Sequence, residues 1–305
     1  MTAILVSEVG PRDGLQSIDR VMPLAAKQAW IAAEAAAGVR EIEVGSFVPA
    51  ALLPQMADTA ALVAFALTIP HLNVVALVPN ARGAALAAAA GVHAMSVPFS
   101  MSETHSLRNV RKDHPAMLAE IAAIAGIAKA ANIHFAVGLS TAFGCTIEGA
   151  VPEAQVVRLA AAAAEAGAQE FSLSDTTGYA DPAQVRRLIR AVRAEVGDLL
   201  TTLHLHNPRG LGLANALAGL DEGITTLDAS LGGLGGCPFA PGASGNLVTE
   251  DLVLMLNAMG YDTGIDLAAL LEVRKIVAAA LPGEPLYGFT PDAGAMLDYP
   301  ARIAR

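Results

Sequence analysis

The feature that most constrains the fold of this chain is a repeated unit, in which a short apolar run leads through a turn into an alanine-rich helical segment. Strands are predicted near residues 3–9, 40–47, 73–78, 94–99, 134–140, 170–175, 201–206 and 225–231. Such alternation is typical of parallel βα units, and eight of them close a barrel. We therefore predict an α/β fold, a (β/α)8 TIM barrel with a short C-terminal helical appendage.

The helices that complete these units have clear boundaries. They are predicted near residues 23–37, 57–67, 81–90, 115–131, 152–166, 182–196, 210–222 and 247–259, with proline at several starts and glycine after several ends. Residues 266–305 are expected to form one more helix, 267–280, and a tail that packs on the barrel. Because one such barrel fills ~250 residues and no linker is visible, residues 1–305 are predicted to form a single domain.

Composition excludes several classes of function. A net charge of −10 argues against a nucleic-acid surface, and no apolar run reaches the ~18 residues of a membrane span. Residues 1–10 have no basic segment before a hydrophobic stretch, so secretion is not indicated. Cys145 and Cys237 are too few for a disulfide framework. We expect a cytoplasmic protein with free thiols.

Two histidines on the seventh predicted strand point to a metal. His204 and His206 are separated by one residue, so on a strand their side chains share one face. Converging neutral imidazoles suit a divalent cation, although polar positions on an exposed strand face would show the same spacing. The pair therefore needs further ligands from other strand ends.

The segment after the first strand offers such a ligand. Active sites of (β/α)8 barrels form at the carboxyl ends of the strands, where Arg12 and Asp13 lie. Asp13 would complete a set that favours Mg²⁺ or Mn²⁺, with Zn²⁺, Fe²⁺ or Co²⁺ compatible, but Asp before Gly14 is also a common turn residue. Arg12 could stabilise a substrate oxyanion, or pair internally with Asp13 or Glu43.

Two further carboxylates lie on predicted strands. Glu43 is costly to bury without a cation or a proton-carrying partner, so we expect it next to Arg12. Asp175 could orient a metal-bound histidine or relay a proton, or it could simply cap the following helix, and we favour a role in support of the metal ligands.

A glycine-rich loop, residues 232–246, follows the eighth strand. Its length and composition are typical of a mobile lid or a phosphate-binding loop, but it lacks the strand–GxGxxG–helix context of a dinucleotide site. Within it, the thiol of Cys237 could donate or accept a proton, or it could be buried as a small hydrophobe. For Cys145 we expect burial.

Four sequence blocks carry the most specific signal of function. They are EVGPRDGLQ at residues 8–16, EVGSF at 43–47 with PQM at 54–56, LHLHN at 203–207 and GLGGCPFAPGASGNLVTEDLV at 233–253. With these blocks in this order, the chain resembles, nearly end to end, the 3-hydroxy-3-methylglutaryl-CoA (HMG-CoA) lyase family, metal-dependent barrels with Arg-Asp after the first strand.

The resemblance implies roles for individual residues. It assigns metal binding to Asp13, His204, His206 and Asn246, oxyanion stabilisation to Arg12 and proton transfer to Cys237. It places Glu43, Asp175 and Gln16 in the catalytic site and makes Glu250 an ordering residue. Ser140 and Thr176, at strand ends, are further candidates for substrate binding.

The implied reaction is cleavage of HMG-CoA, or of a longer 3-hydroxy-3-alkylglutaryl-CoA, to acetyl-CoA and acetoacetate or a longer 3-oxo acid. The partner would be a small acyl-CoA, with CoA present only as part of the substrate, and the resemblance also implies a place in leucine degradation and ketone-body formation. The alanine-rich barrel exterior permits a homodimer.

The chain departs from the family pattern beside the second histidine. The usual Asp-Thr-Tyr-Gly is replaced by Asn207-Pro208-Arg209-Gly210, so Arg209 is expected to pair with a substrate carboxylate or a CoA phosphate. A basic run, Arg108, Arg111 and Lys112, could hold CoA phosphates or form a solvated face.

Three alternatives remain open. A Claisen-type synthase would share the barrel and both motifs, but those synthases usually carry a C-terminal region beyond the equivalent of Arg305 and lack the cysteine loop. An aldolase acting on 4-hydroxy-2-oxo acids would need no CoA. A non-catalytic binding homologue is disfavoured because the catalytic positions are retained.

Overall fold

A computed structural model describes residues 2–235 and 245–294 of the chain. Eight parallel strands form a closed barrel in which each strand pairs with its neighbours in chain order and the last pairs with the first. The strands are β1 (Leu5–Glu8), β2 (Glu41–Ser46), β3 (Asn73–Leu77), β4 (Ala94–Ser100), β5 (His134–Ser140), β6 (Glu170–Asp175), β7 (Leu200–Leu205) and β8 (Thr226–Ala229). The predicted TIM barrel is therefore confirmed.

Helices surround this barrel. They are α1 (Leu24–Ala36), α2 (Thr59–Ala66), α3 (Ala81–Ala90), α4 (Glu103–Asn109), α5 (His114–Ala131), α6 (Glu153–Glu165), α7 (Pro182–Val196), α8 (Gly212–Asp221), α9 (Thr249–Ala258), α10 (Leu267–Ala280) and α11 (Thr290–Ala293). No predicted boundary differs from the observed one by more than two residues. The two short helices α4 and α11 were not predicted.

The hydrophobic core lies between the barrel and its helices. On β5, Phe135, Val137 and Leu139 are fully buried and alternate with residues that face the barrel axis. Trp30 and Ile31 of α1 are likewise fully buried. The outward faces of the strands therefore supply most of the stabilising apolar contact.

The inside of the barrel is lined by small residues. Barrel interiors are usually filled by layers of Val, Ile and Leu. Here the residues facing the axis include Ser7, Ser96, Ala136, Gly138, Ser172, Ser174, Thr202 and Thr226. As a result, a cavity of about 960 Å³ extends from the carboxyl ends of the strands to Glu41, His134 and Glu170 near their beginnings.

The C-terminal appendage is present as α10, which packs against α1. Leu270, Val273 and Val277 are its buried face, and the Asp266 carboxylate caps its first turn by accepting the N–H groups of Ala268 and Ala269. Among residues 2–235 and 245–294, no helix combines the length and the apolar character needed to traverse a lipid bilayer.

Candidate functional site

The segment after β1 forms a π-helical turn, Gly10–Gly14, that carries Arg12 and Asp13. The carbonyl of Val9 accepts the N–H groups of Asp13 at 2.7 Å and Arg12 at 3.1 Å. A Cβ on Gly10 would lie 2.5 Å from Glu8 Oε1 and 2.8 Å from the ring of Trp30, so the turn requires glycine there. Such π turns are frequent at functional sites.

Asp13 meets the two histidines of β7 at the carboxyl end of the barrel. The Nε2 atoms of His204 and His206 are 3.2 Å apart, and Asp13 Oδ2 lies 3.9 Å and 3.7 Å from them. A triangle with these sides has its centre about 2.1 Å from each corner, which matches metal–ligand bonds of about 2.0–2.2 Å for imidazole nitrogen and carboxylate oxygen. The three predicted ligands therefore fit one divalent cation.

The protonation of this cluster also suits a cation. His204 Nδ1 lies 3.1 Å from Asp228 Oδ2, which fixes the hydrogen on Nδ1 and leaves the lone pair of Nε2 directed at the cluster. Burial lowers the pKa of His206 and keeps it neutral. Burial also opposes the charge of Asp13, but Arg12 and the histidines hold its pKa well below the usual range. Burial opposes the charge of His204 as well, but Asp228 and Asp13 raise its pKa overall, so a cation must displace the Nε2 proton of His204 wherever that histidine is protonated.

Gln16 and Asn246 complete the surroundings of Asp13. Gln16 Nε2 donates to Asp13 Oδ1 at 2.9 Å, and Asn246 Nδ2 donates to Asp13 Oδ2 at 2.7 Å and to the Leu234 carbonyl at 2.9 Å. Asn246 is held beside β7 by a bridge to His206. The predicted fourth ligand thus lies next to the cluster, with its amide nitrogen bound to Asp13.

Arg12 lies between two carboxylates. Its Nε donates to Glu43 Oε2 and its Nη1 to Asp13 Oδ1, while Ser96 Oγ donates to Glu43 Oε1. Burial raises the pKa of Glu43, although Arg12 partly opposes the shift. A β-bulge between Glu43 and Gly45 interrupts the pairing of β2 at this point. The ion pair expected for Glu43 is present, and Arg12 faces the cavity.

Asp175 holds the loop after β6. Its carboxylate accepts the N–H groups of Tyr179 at 2.8 Å and Ala180 at 3.2 Å, and burial raises its pKa to about 6. Arg209 braces the same loop, because its Nη1 donates to the carbonyls of Thr177 at 3.0 Å and Gly178 at 2.9 Å and its guanidinium stacks 4.6 Å from the Tyr179 ring. The contact with a histidine that we expected of Asp175 is made instead by Asp228.

The remaining predicted residues are distributed around the cavity. Ser140 and Thr176 line it, and Thr176 Oγ1 accepts the N–H of Thr141 at 2.9 Å. Glu250 lies behind it, accepting the N–H of Gly232 at 2.9 Å and pairing with Arg274 at 2.9 Å. Cys237 lies outside the described residues.

The rim of the cavity carries the basic run after β4. Arg108, Arg111 and Lys112 line the mouth, and Lys112 Nζ donates to Glu120 at 2.6 Å. His105 lies deeper, where its Nδ1 is 2.7 Å from Ser100 Oγ and burial lowers its pKa. Positive charge is therefore concentrated at the mouth, where an anionic ligand would enter.

Sequence reasoning missed Asp228 and Ser96. Asp228 alternates with Leu227 and Ala229 on β8, and Ser96 with Met95 and Val97 on β4, so both share the inward face of a strand. The sequence signal that could have identified them is a polar residue at an inward-facing position of a strand that is otherwise apolar.

Known proteins share both the sequence and this architecture. The HMGL-like family model matches residues 3–277. The chain is 40% identical to (R)-citramalyl-CoA lyase of Chloroflexus aurantiacus over 96% of each chain. It superposes on HMG-CoA lyase of Bacillus subtilis with a TM-score of 0.92 at 38% identity, covering 96% of this chain and 98% of the other. An HMG-CoA lyase of Acinetobacter baumannii, solved with coenzyme A and 3-methylmalate, gives a TM-score of 0.91 at 38% identity, with 97% and 96% covered. Because the family model and these relatives cover nearly the whole chain, the chain belongs to the HMGL-like family.

Proposed function

We propose that the protein is a metal-dependent carbon–carbon lyase that cleaves a 3-hydroxy-3-alkylglutaryl-CoA, HMG-CoA being the simplest, to acetyl-CoA and a 3-oxo acid. The observation that carries the proposal is the convergence of Asp13, His204 and His206 beside Arg12 in one large cavity. The HMG-CoA lyases among its relatives, one of them solved with coenzyme A, support the substrate class.

The residues of the site have distinct tasks in this reaction. A divalent cation held by Asp13, His204 and His206 would acidify the 3-hydroxyl of the substrate. As that hydroxyl loses its proton to water, the C2–C3 bond breaks, the oxygen becomes the carbonyl of the 3-oxo acid, and the electron pair stays on C2 of the thioester. Arg12 faces the cavity and balances the charge that develops on the thioester oxygen.

The carbon left with the electron pair must gain a proton to give acetyl-CoA. We assign this donation to Cys237 on the family resemblance, because an ordinary thiol is neutral at pH 7 and acidic enough to react. Glu43, Asp175 and Gln16 act on the site through Arg12, the β6 loop and Asp13, respectively, and Asn246 is assigned as a further ligand.

A second candidate substrate is citramalyl-CoA. The relative that is (R)-citramalyl-CoA lyase is 40% identical over 96% of this chain, as similar as the HMG-CoA lyases. In citramalyl-CoA the carboxylate is attached directly to C3, so cleavage gives pyruvate instead of a 3-oxo acid. The chemistry at the C2–C3 bond is the same, and only the position of the carboxylate differs.

The proposal is tested by cleavage assays on metal-free and metal-loaded protein. We expect the protein to cleave HMG-CoA when Mg²⁺ or Mn²⁺ is added and to be inactive after the metal is removed by a chelator. His204→Ala and Asp13→Ala should be inactive with either metal. His71→Asn is the matched control and should keep full activity. His71 is exposed and has a left-handed backbone conformation, which asparagine tolerates. Full activity of chelated protein, or of His204→Ala, would end the proposal.

We also propose Mg²⁺ or Mn²⁺ as the metal, since a carboxylate and two imidazoles without thiolate suit these cations. The buried free thiol of Cys145 agrees with a cytoplasmic location. A homodimer and a role in leucine degradation or ketone-body formation complete the proposal.

A further inference from the structure

The cavity extends into the barrel beyond the metal-binding cluster, which consists of Asp13, His204 and His206. Below His204 on β7 lies Thr202, and below Ser174 on β6 lie Ser172 and then Glu170, all of which line it. Four residues of strand tilted as in a barrel correspond to roughly 10 Å of depth. The small side chains of Ala136 and Gly138 on β5 leave this depth open. HMG-CoA itself, with a methyl group on C3, has nothing to place there.

The charges of the cavity decide which arm of a substrate can enter. CoA must leave through the mouth, where Arg108, Arg111 and Lys112 lie. A carboxylate is disfavoured in the interior, because Glu41 and Glu170 lie at its lower end and no Lys or Arg of the described ranges lines it below Arg12. His134 also lies there, but its Nε2 is already paired with Glu170 at 2.7 Å. The interior therefore suits an uncharged substituent.

Apolar side chains line part of one wall of the interior, namely Leu5 of β1, Val75 and Leu77 of β3 and Ala94 of β4. Between β1 and β3, β2 presents Glu41, which accepts from Asn73 at 2.6 Å, and Glu43, which is paired with Arg12. An alkyl chain that leaves the carbon bearing the 3-hydroxyl could lie against this wall, with the hydroxyl-bearing strands β6 to β8 opposite. Each buried CH₂ contributes about 0.8 kcal/mol.

On these grounds we infer that the barrel interior is a subsite for an uncharged C3 substituent several carbons long, and that Gly138 determines the length it accepts. The inference rests on the proposed lyase function and names its substrate class: 3-hydroxy-3-alkylglutaryl-CoA thioesters with alkyl groups larger than methyl. Cleavage of such a substrate breaks the same C2–C3 bond, gives C2 one proton, and releases acetyl-CoA and a 3-oxo acid that keeps the alkyl chain.

Gly138 is the best position at which to close the subsite. A Cβ there would lie 3.8 Å from Ser174 Oγ and 3.9 Å from the Val97 carbonyl, which are ordinary contacts. Its φ is not among the positive values, so a larger residue meets no backbone strain. A leucine at this position would project into the cavity and shorten it, while alanine would barely change it.

The experiment compares HMG-CoA with 3-hydroxy-3-butylglutaryl-CoA in the metal-loaded full-length enzyme. We expect wild type to cleave both with similar kcat/KM. Gly138→Leu should lose roughly 10- to 200-fold in kcat/KM on the butyl substrate relative to the methyl one. Binding of the product 3-oxoheptanoate, measured by titration calorimetry, should weaken in parallel.

Gly126→Leu is the matched control, since a Cβ at this exposed position of α5 meets no atom within 4 Å. Wild-type cleavage of the methyl substrate but not of the butyl substrate would overturn the inference and leave the proposed function intact. Equal losses on both substrates in Gly138→Leu would overturn the specificity role of Gly138. Cleavage of neither substrate by wild type would overturn the proposed function as well.

Discussion

Asp228 sets the nitrogen that His204 presents to the metal-binding cluster, through the 3.1 Å contact at Nδ1. Carboxylates that orient a ligating histidine typically contribute 10- to 100-fold to metal affinity. We expect Asp228→Asn to weaken Mn²⁺ binding by roughly that factor, because the amide removes the negative charge that makes the imidazole a stronger ligand. Titration calorimetry measures the change. Asp198→Asn, at an exposed carboxylate, should bind Mn²⁺ as wild type does, and unchanged affinity in Asp228→Asn would contradict the assignment.

Arg209 joins the β7 and β6 loops, and its described contacts are two backbone carbonyls and the Tyr179 ring. If Arg209 only braces the loop, Arg209→Ala should lower the free energy of unfolding by about 1 kcal/mol, since the position is exposed. The kcat/KM values for short and long acyl chains should then fall by equal factors. Arg209→Lys should recover only part of the loss, since ammonium cannot bridge as the guanidinium does. A loss confined to one substrate would instead support the substrate contact predicted from the sequence.

At the residue scale, the sequence was most informative where the spacing itself determines geometry. His204 and His206 share a strand face by the period of two, so their convergence could be predicted. The partner of His204 could not, because Asp228 reaches it only through the register of β7 with β8, in which these two residues are paired. Arg209 was placed correctly on the β7 loop, but its direction depends on the β6 loop.

The π-helical turn after β1 and the loop after β8 are joined by one buried carboxylate. Glu8 accepts the N–H groups of Gly10 at 2.8 Å and Leu231 at 2.9 Å and the hydroxyl of Thr249 at 2.7 Å. Glu34 of α1 is also fully buried and interacts with it. Ionising two neighbouring buried carboxyl groups is energetically unfavourable, so at least one of them should keep its proton. The stability of the π-helical turn that positions Arg12 and Asp13 therefore depends on this protonation.

This pair predicts a pH dependence of stability. Burial raises the pKa of Glu8 to about 7, and burial together with the charge of Glu8 raises that of Glu34. Between about pH 4.5 and 7 the native state therefore holds protons that the unfolded chain has released, so this stabilisation is complete at low pH and is lost as pH rises through about 7. For Glu8 alone the loss is at most about 3 kcal/mol.

Glu34→Gln should reduce that loss, because it removes one of the two interacting carboxyl groups. Urea unfolding of the metal-free protein at about pH 5 and pH 8 gives the difference for each variant. Glu272→Gln, at an exposed ion pair, is the control and should follow wild type. The same difference in Glu34→Gln and wild type would show that the pair does not share a proton.

The regular elements could be predicted because each carries its own period and boundary residues. The π-helical turn could not, since it depends on the fit of Gly10 between Glu8 and Trp30. Helix α4 was missed because its sequence is short and polar, and its start is fixed by Ser102, whose hydroxyl accepts the N–H of His105 at 3.1 Å. The turn was therefore decided partly by a contact distant in sequence, that of Gly10 with Trp30, whereas the start of α4 depends on a local cap.

At the scale of the whole molecule, metal binding should stabilise the fold. A cation that binds only the native state at one hundred times its Kd adds about 2.7 kcal/mol. We expect Mn²⁺ to raise the Tm of wild type and of His71→Asn, and to leave the Tm of His204→Ala unchanged. Differential scanning calorimetry measures this. A metal-dependent rise in His204→Ala would place the stabilising site elsewhere.

The ends of the barrel sequence meet at Asp13. Its partner Asn246 is 233 positions away, and Glu8 reaches Leu231 and Thr249 over 223 and 241 positions. During synthesis the first βα unit therefore leaves the ribosome long before its partners exist, and loops this long must close before these contacts form. A partly folded chain lacks the complete set of ligands. A metal ion therefore stabilises only the closed barrel, and it binds only after the last βα unit has packed against the first.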